Sequence, residues 1–429
     1  MSSMTASSLH YVASSLEPIV LAAGGTGGHM FPAEALAREL LTRGQKVALI
    51  TDRRGGAFGE QLPEVTVHRI RAATIAPGWV AKARMTADIL RGYFQAHTLL
   101  RSLRPAAVIG FGGYPSVPTV WAAQTAGLPV MLHEQNAVLG RANRMLIGRA
   151  DVLAGAFPEI ARLRPADRAK LIHTGNPVRP DFADFRRREG ACDKQAEEKF
   201  VVDPEGPLRI LILGGSQGAR ILSEIAPAAM ARLPIGLRRR LKISQQCRPE
   251  DLESAGNIYA QAGMSDQVEL SPFFRDVPAR LAACHLAICR AGASTIAELT
   301  AIGRPSLLVP YPYAMDDHQT ANARALEAGG GGWLIPQETF SAASLAARLE
   351  ILFGDSMLLA QAAAAARAQG TAEAAARLAD AVLSLAAGNP IENLAIENLA
   401  AADRVSSLLP DNRTLDAASA RPSTSESAA

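Results

Sequence analysis

Two stretches of this 429-residue chain share one grammar. IVLAA (19–23) runs into Gly24-Gly25-Thr26-Gly27-Gly28-His29, and LRILIL (208–213) runs into Gly214-Gly215-Ser216-Gln217-Gly218. A short apolar run, a glycine turn and then a helical pattern is how a parallel βαβ unit opens. Its recurrence in the second half predicts an α/β chain of two Rossmann-like domains.

The segments between the turns fit that frame. VALIT (47–51), AAVIG (106–110), PVMLH (129–133), VLAG (152–155) and KLIHT (170–174) read as strands of the first domain. LKIS (241–244), VEL (268–270), LAIC (286–289), PSLLVP (305–310) and GWLIP (332–336) read as strands of the second. Leu36, Leu40 and Leu41 share one face of a helix from Pro32 to Arg43, and helical patterns near 342–353 and 356–386 close the ordered part. We therefore expect a flexible extension over 1–17, a first domain over 18–178 and a second over 179–387. Within the second, 179–207 is a polar linker, and the last helix is free to pack back on the first domain. Residues 388–429, with a duplicated IENLA, read as a disordered tail.

Composition narrows the function classes. The net charge is +3 with 20% charged residues, so no general field favours nucleic acid. Cys192, Cys247, Cys284 and Cys289 form no CxxC pair and no metal-ligand spacing, which points away from zinc and toward a reducing compartment. No apolar run reaches the roughly 18–20 residues that a bilayer crossing needs. The Ser/Ala-rich start lacks the basic and apolar regions of a secretory signal.

The glycine turns carry the chemistry. Glycines let the backbone approach a ligand closely, and the following helix presents unpaired N–H groups, a combination suited to a diphosphate. A Walker A loop would need Lys and Ser/Thr where His29 and Met30 stand. A dinucleotide fingerprint could use Asp52 for a ribose, but Met30 replaces its third glycine. The second turn also fits the G-x-S-x-G elbow of a serine hydrolase, with Ser216 as nucleophile and Asp276/His285 or Asp316/His318 as partners. A hydrolase has no use for a second glycine turn on a second domain, so Ser216 is more economically a phosphate ligand.

Further polar clusters fall just after strands, where parallel sheets bind ligands. GFGGYPS (110–116) offers glycines, and Ser116 could cap the next helix. His133-Glu134-Gln135-Asn136 gathers four polar side chains. In Arg290 to Glu298, hydroxyls at a helix start precede a carboxylate able to accept two hydrogen bonds from a ribose diol; the alternative is that Ser294 and Thr295 merely cap the helix. Arg290 reads either as a partner of a charged ligand or as a structural ion-pair member. Asp316-Asp317-His318-Gln319 and Asn322 form another cluster, or an ordinary capped surface helix. No DxD sequence occurs to bridge a metal and a diphosphate.

GGTGGH, GFGGYPS, HEQNA, GNPVR, GGSQGA, RAGASTIAE and DDHQTANA occur in this order between about Pro18 and Leu385. Together they resemble the bacterial MurG family, undecaprenyldiphospho-muramoylpentapeptide N-acetylglucosaminyltransferases of the GT-B type. The resemblance implies a GT-B fold, two Rossmann-like domains facing across a deep cleft, with the nucleotide donor held mainly by the second domain and the lipid acceptor by the first. Carried over by motif, the UDP-N-acetylglucosamine contacts fall on Thr26, Gly27, Gly28, Asn136, Arg179, Ser216, Phe274, Ala293, Ser294, Thr295, Ile296, Ala297, Glu298 and Gln319. Phe274 stands where the family often has an aliphatic residue, and the implied uracil contact there is through backbone atoms.

The implied reaction is inverting transfer of N-acetylglucosamine to the C4 hydroxyl of the N-acetylmuramoyl unit of lipid I, giving lipid II and UDP, with no cofactor and no metal. His29 is the first candidate for general base and Glu134 the second. The polyprenyl acceptor requires a membrane surface, and Ile75, Trp79, Lys82 and Arg84 lie in a segment (75–94) whose apolar residues are interspersed with cations. The expected place is the cytoplasmic face of the inner membrane, bound peripherally, with cell-wall and division proteins as partners. A transferase acting on another lipid, such as a diacylglycerol, the Ser216 hydrolase and a nucleotide-sugar sensor remain as alternatives.

Overall fold

A computed structural model describes residues 17–389 apart from 25–26, 53–61, 73–78, 180, 183–184, 186–199, 201, 216–217 and 372; for 79–83 it describes the backbone alone. Among the described residues the first sheet has seven strands: Ile19–Ala22 (β1), Val47–Thr51 (β2), Thr66–Arg69 (β3), Ala107–Gly110 (β4), Val130–Glu134 (β5), Val152–Gly155 (β6) and Leu171–His173 (β7). They lie in the order β3-β2-β1-β4-β5-β6-β7, and every pairing is parallel. Helices cover both faces, which is why β1, β2, β4 and β5 are continuous apolar or wholly buried runs rather than alternating ones. β3, with the sequence TVHR, is the exception. It sits at the sheet edge with no buried residue, so it has no apolar signature and escapes a sequence reading.

The second sheet repeats the plan with Leu208–Leu213 (β8), Leu241–Gln246 (β9), Val268–Ser271 (β10), Leu286–Cys289 (β11), Ser306–Leu308 (β12) and Gly332–Leu334 (β13). Its order is β10-β9-β8-β11-β12-β13, again parallel throughout. In both sheets the strand that feeds a glycine turn, β1 or β8, is flanked by the point where the order reverses. A crevice beyond the carboxyl ends of the strands opens at such a point.

The first core lies on two sides of its sheet. On one side Leu36 and Leu40 of helix Gly27–Thr42 pack with Leu378 and Val382 of the final helix Ala374–Ala386. On the other, Ala96 and Leu100 of helix Trp79–Leu103 join Val120 of helix Val117–Thr125. The last described helix thus returns to the first sheet, and burying a side chain such as Leu378 stabilises that return by about 1.5–3 kcal/mol.

The helical pattern read over 356–386 is two helices, Ser356–Gln369 and Ala374–Ala386. Gly370 causes the break by close packing: a Cβ there would lie 2.3 Å from the Thr300 carbonyl oxygen. Thr371 then abuts Gly175, whose φ of +78° and lack of a side chain let the two segments cross. The change of direction carries the last helix from the second sheet to the first.

Candidate active site

The carboxyl ends of the two sheets meet. Asn322, on helix His318–Ala328, accepts a hydrogen bond from the Ala137 main-chain nitrogen at 2.8 Å. It also donates to Asn136 Oδ1 and to the Ala291 carbonyl, each at 3.1 Å. A loop beyond β5 is thereby joined to the loop beyond β11. Nearby, Asp316 receives Arg141, Arg144 and Arg162 from the opposite side at 3.2, 2.5 and 2.8 Å. The arginine hydrogen bonds hold its carboxyl down to about 2. Asp316 and Asp317 have φ of +57° and +55°, so the cluster is more than an ordinary capped helix start. The three arginines carry no sequence signal, because they converge only in the fold.

Arg179 ties the same two regions together. Its Nε donates to Glu298 Oε1 at 2.9 Å, and its guanidinium lies 5.9 Å from the ring centre of Phe31 and 5.1 Å from that of Phe182. Phe31 belongs to helix 27–42, which opens at the first glycine turn, and Glu298 to helix Ala293–Ile302. Burial pushes the Glu298 carboxyl above its ordinary value, and the charge and hydrogen bond of Arg179 oppose that.

On the first-sheet side, His29 Nδ1 lies 3.2 Å from Gln135 Oε1. Gln135 Nε2 in turn contacts the Phe111 carbonyl at 2.9 Å and His133 Nδ1 at 3.0 Å. The His29 ring rests on Gly112 and Gly113, both with positive φ; a Cβ at 113 would come within 3.2 Å of His29 Cδ2. Glu134, the second candidate base, is buried and already engaged. It accepts from the main-chain nitrogens of Asn136 and Gly140 at 3.1 and 2.8 Å and from Asn143 Nδ2 at 2.9 Å. Geometry makes it the support of the 135–140 loop. Ser116 Oγ donates to the Gly113 carbonyl at 2.9 Å and does not cap the next helix.

On the second-sheet side, helix 293–302 starts at Gly292 with no side-chain cap, so Ser294 and Thr295 do not close it. Ala293, Ser294, Thr295 and Ala297 are partly exposed at that start, while Ile296 is buried in the core behind them. Uncapped N–H groups and the helix dipole favour an anion there. Arg290 is a structural brace and pairs with no acid among the described residues: it donates to the Val309 and Pro310 carbonyls at 3.0 Å and to Gln337 Oε1 at 2.8 Å. Gln319 Oε1 accepts from the Tyr311 nitrogen at 2.9 Å. The Phe274 ring is turned inward beneath the Arg280 guanidinium, 4.2 Å away. Thr26 and Ser216 lie outside the described residues; Gly27 and Gly28 begin helix 27–42.

The hydrolase pairs do not assemble. His285 bonds the Arg209 nitrogen at the amino end of β8, whereas Ser216 follows its carboxyl end. At about 3.3 Å per residue, that strand puts about 13 Å between Arg209 and its carboxyl-terminal Leu213. Asp276 is bound to Arg280 at 2.8 Å. His318 bonds the Met315 carbonyl at 2.8 Å while Asp316 is held by the arginines.

In the expected membrane segment, Ile75 lies outside the described residues, and Trp79 and Lys82 are described only as backbone at the start of helix 79–103. Arg84, Leu90, Arg91 and Phe94 are exposed on that helix, Phe94 at 65%. Tyr93 instead turns inward, its ring centre 4.6 Å from that of Trp121. No single helix among the described residues is long and apolar enough to cross a membrane.

Two doubly wound sheets, joined carboxyl end to carboxyl end around an uncapped helix start and two glycine turns, define a glycosyltransferase of the GT-B fold. Residues 19–154 match the glycosyltransferase family 28 N-terminal domain, and 209–378 match its C-terminal domain. A UDP-N-acetylglucosamine–N-acetylmuramyl-(pentapeptide) pyrophosphoryl-undecaprenol N-acetylglucosamine transferase of Rhodospirillum centenum is 57% identical over 372 residues, covering 87% of this chain and 95% of that one. Its counterpart in Paramagnetospirillum magneticum is 53% identical over 368 residues, 86% of this chain and 96% of the relative. The crystal structure of Acinetobacter baumannii MurG superposes with a TM-score of 0.69 at 31% identity, covering 85% of this chain and 99% of that chain. The chain belongs to the MurG family of glycosyltransferases.

Proposed function

We propose that the chain transfers N-acetylglucosamine from UDP-N-acetylglucosamine to the C4 hydroxyl of the N-acetylmuramoyl unit of lipid I. The products are lipid II and UDP, the anomeric carbon is inverted, and the pathway served is peptidoglycan synthesis, with its consequences for cell shape and division. The observation that carries this reading is the junction of the two sheets: Asn322 joins the loop after β5 to the loop after β11, and Arg179 spans Phe31 and Glu298. A sugar nucleotide held there lies between both glycine turns.

The donor pocket we assign to Thr26, Gly27, Gly28, Asn136, Arg179, Ser216, Phe274, the run 293–298 and Gln319. The uncapped start of helix 293–302 supplies N–H groups for the diphosphate, and Glu298 accepts from the ribose diol. Donors already in place stabilise the charge that grows on UDP without rearrangement. His29 takes the C4 proton. We place the domain boundary at 178–179, with the acceptor side before it and 388–429 as a tail.

The acceptor's lipid brings the enzyme to the membrane. The cationic and apolar residues of segment 75–94 rest on anionic headgroups, peripherally, at the cytoplasmic face of the inner membrane, beside cell-wall and division proteins. Incubating purified protein with labelled UDP-N-acetylglucosamine and a lipid I analogue, with and without chelator, tests the scheme. Labelled lipid II in both arms is expected. Donor binding with no transfer would make the chain a sensor, and transfer to a diacylglycerol alone would move it to another lipid.

A further inference from the structure

We propose that Gln135, itself oriented by His133 and the Phe111 carbonyl, fixes the proton of His29 on Nδ1 and leaves Nε2 as the atom that accepts the proton of the attacking alcohol. This rests on His29 as the base and says how that base is set. Gln135 is then a positioning residue, acting through His29 without touching substrate.

The argument starts from two carbonyl oxygens, which can only accept. Gln135 Nε2 lies 2.9 Å from the Phe111 oxygen and 3.3 Å from the His133 oxygen. The amide therefore has its NH2 end there, and its oxygen faces His29 Nδ1 at 3.2 Å. Oxygen opposite nitrogen requires N–H on that nitrogen. A neutral imidazole has one N–H, so Nε2 keeps its lone pair.

His133 completes the chain from the other end. Its Nε2 lies 3.3 Å from the Gly175 carbonyl and so carries the proton, while its Nδ1 faces the Gln135 amide at 3.0 Å and accepts from it. Burial brings His133 down to about 4, so it stays neutral where the enzyme works. A protonated His133 would turn a second N–H toward the amide and break the order. The other titratable group on this strand end, Glu134, is turned to Gly140 and Asn143.

The open edge of His29 is also accounted for. A Cβ at residue 113 would lie 3.4 Å from Nε2 and 3.2 Å from Cδ2, so glycine keeps that edge clear. In the reaction the C4 oxygen bonds the anomeric carbon, and its proton passes to Nε2. The bond from that carbon to UDP breaks, with the electron pair leaving on the phosphate oxygen. The imidazolium formed keeps its Nδ1–H on Gln135, an acceptor for its new charge.

The decisive measurement is the two-bond proton–nitrogen NMR spectrum of the full chain labelled with 15N-histidine, with His29 assigned by loss of its signals in His29→Gln. With its ring neutral, His29 is expected to have a pyrrole-like Nδ1 and a pyridine-like Nε2; the reverse pattern overturns the inference. In Gln135→Met, kcat is expected to fall about tenfold or more with KM for UDP-N-acetylglucosamine unchanged. An unaltered kcat would also overturn it. If Gln135→Met fails to fold, the wild-type spectrum decides. Full transfer by His29→Gln removes the base assignment and this inference with it. Loss of transfer in that variant with an Nε2–H tautomer in the wild type removes only the role of Gln135.

Discussion

The side-chain oxygen of Asn322 lies 2.8 Å from the main-chain nitrogen of Ala137, so a helix of the second sheet completes the hydrogen bonding of a loop on the first. Its amide nitrogen serves Asn136 and Ala291 at the same time, and Asn322 is fully buried. Asn322→Ala strands a buried donor and a buried acceptor, each worth about 1–3 kcal/mol. Urea unfolding is expected to show a loss in that range or above, and KM for the donor should rise. A variant with unchanged stability and KM would mean that the junction does not hold the site.

Asp316 adds charge to the same junction. Its folded carboxyl, at about 2, lies below its ordinary 3.8, so the stability it contributes is present above about 3.8 and is lost as pH falls through about 2. The stability difference between wild type and Asp316→Asn should be flat from neutral pH to about 4 and shrink below it. Raised salt should reduce it, since the arginines are partly exposed. A difference that grows on acidification would contradict this account.

His29 and Glu134 separate by the kind of damage they cause. His29→Gln should lower kcat by about 10²–10⁴-fold while donor affinity and melting temperature stay near wild type. Glu134→Ala removes an acceptor from Asn136, Gly140 and Asn143 and should first lower the melting temperature. Equal and selective losses of kcat in both variants would reopen the choice of base.

At the membrane, Leu90 and Phe94 are exposed apolar side chains on helix 79–103, and Arg84, Arg91 and Arg101 are exposed cations among its described residues. Replacing Trp79 and Lys82 together, or Leu90 and Phe94 by serine, should weaken sedimentation with anionic vesicles. Transfer to a short-chain, water-soluble acceptor should persist. Binding that survives both replacements would place the membrane contact elsewhere.

The doubly wound architecture was legible because buried parallel strands are covered on both faces and so leave apolar runs, as in IVLA of β1 and ILIL (210–213) of β8. The edge strand β3 was not, since a strand exposed along one side needs no such run. The break at Gly370 hid inside a helical pattern, because its cause is the Thr300 carbonyl of a distant helix.

The site divides in the same way. Glycine turns, the HEQN cluster and the run 290–298 lie in contiguous sequence, where local spacing alone dictates that backbone N–H groups and polar side chains gather at strand ends. Sequence therefore determined which residues lie just beyond the strand ends. Which partner each one takes was decided by tertiary structure: Glu134 supports a loop, Arg290 braces carbonyls, and Asp316 collects three arginines from the other sheet. Hydrogen bonds and ion pairs act over about 3–4 Å, and residues far apart in the chain come within that range only when two separate cores pack against each other.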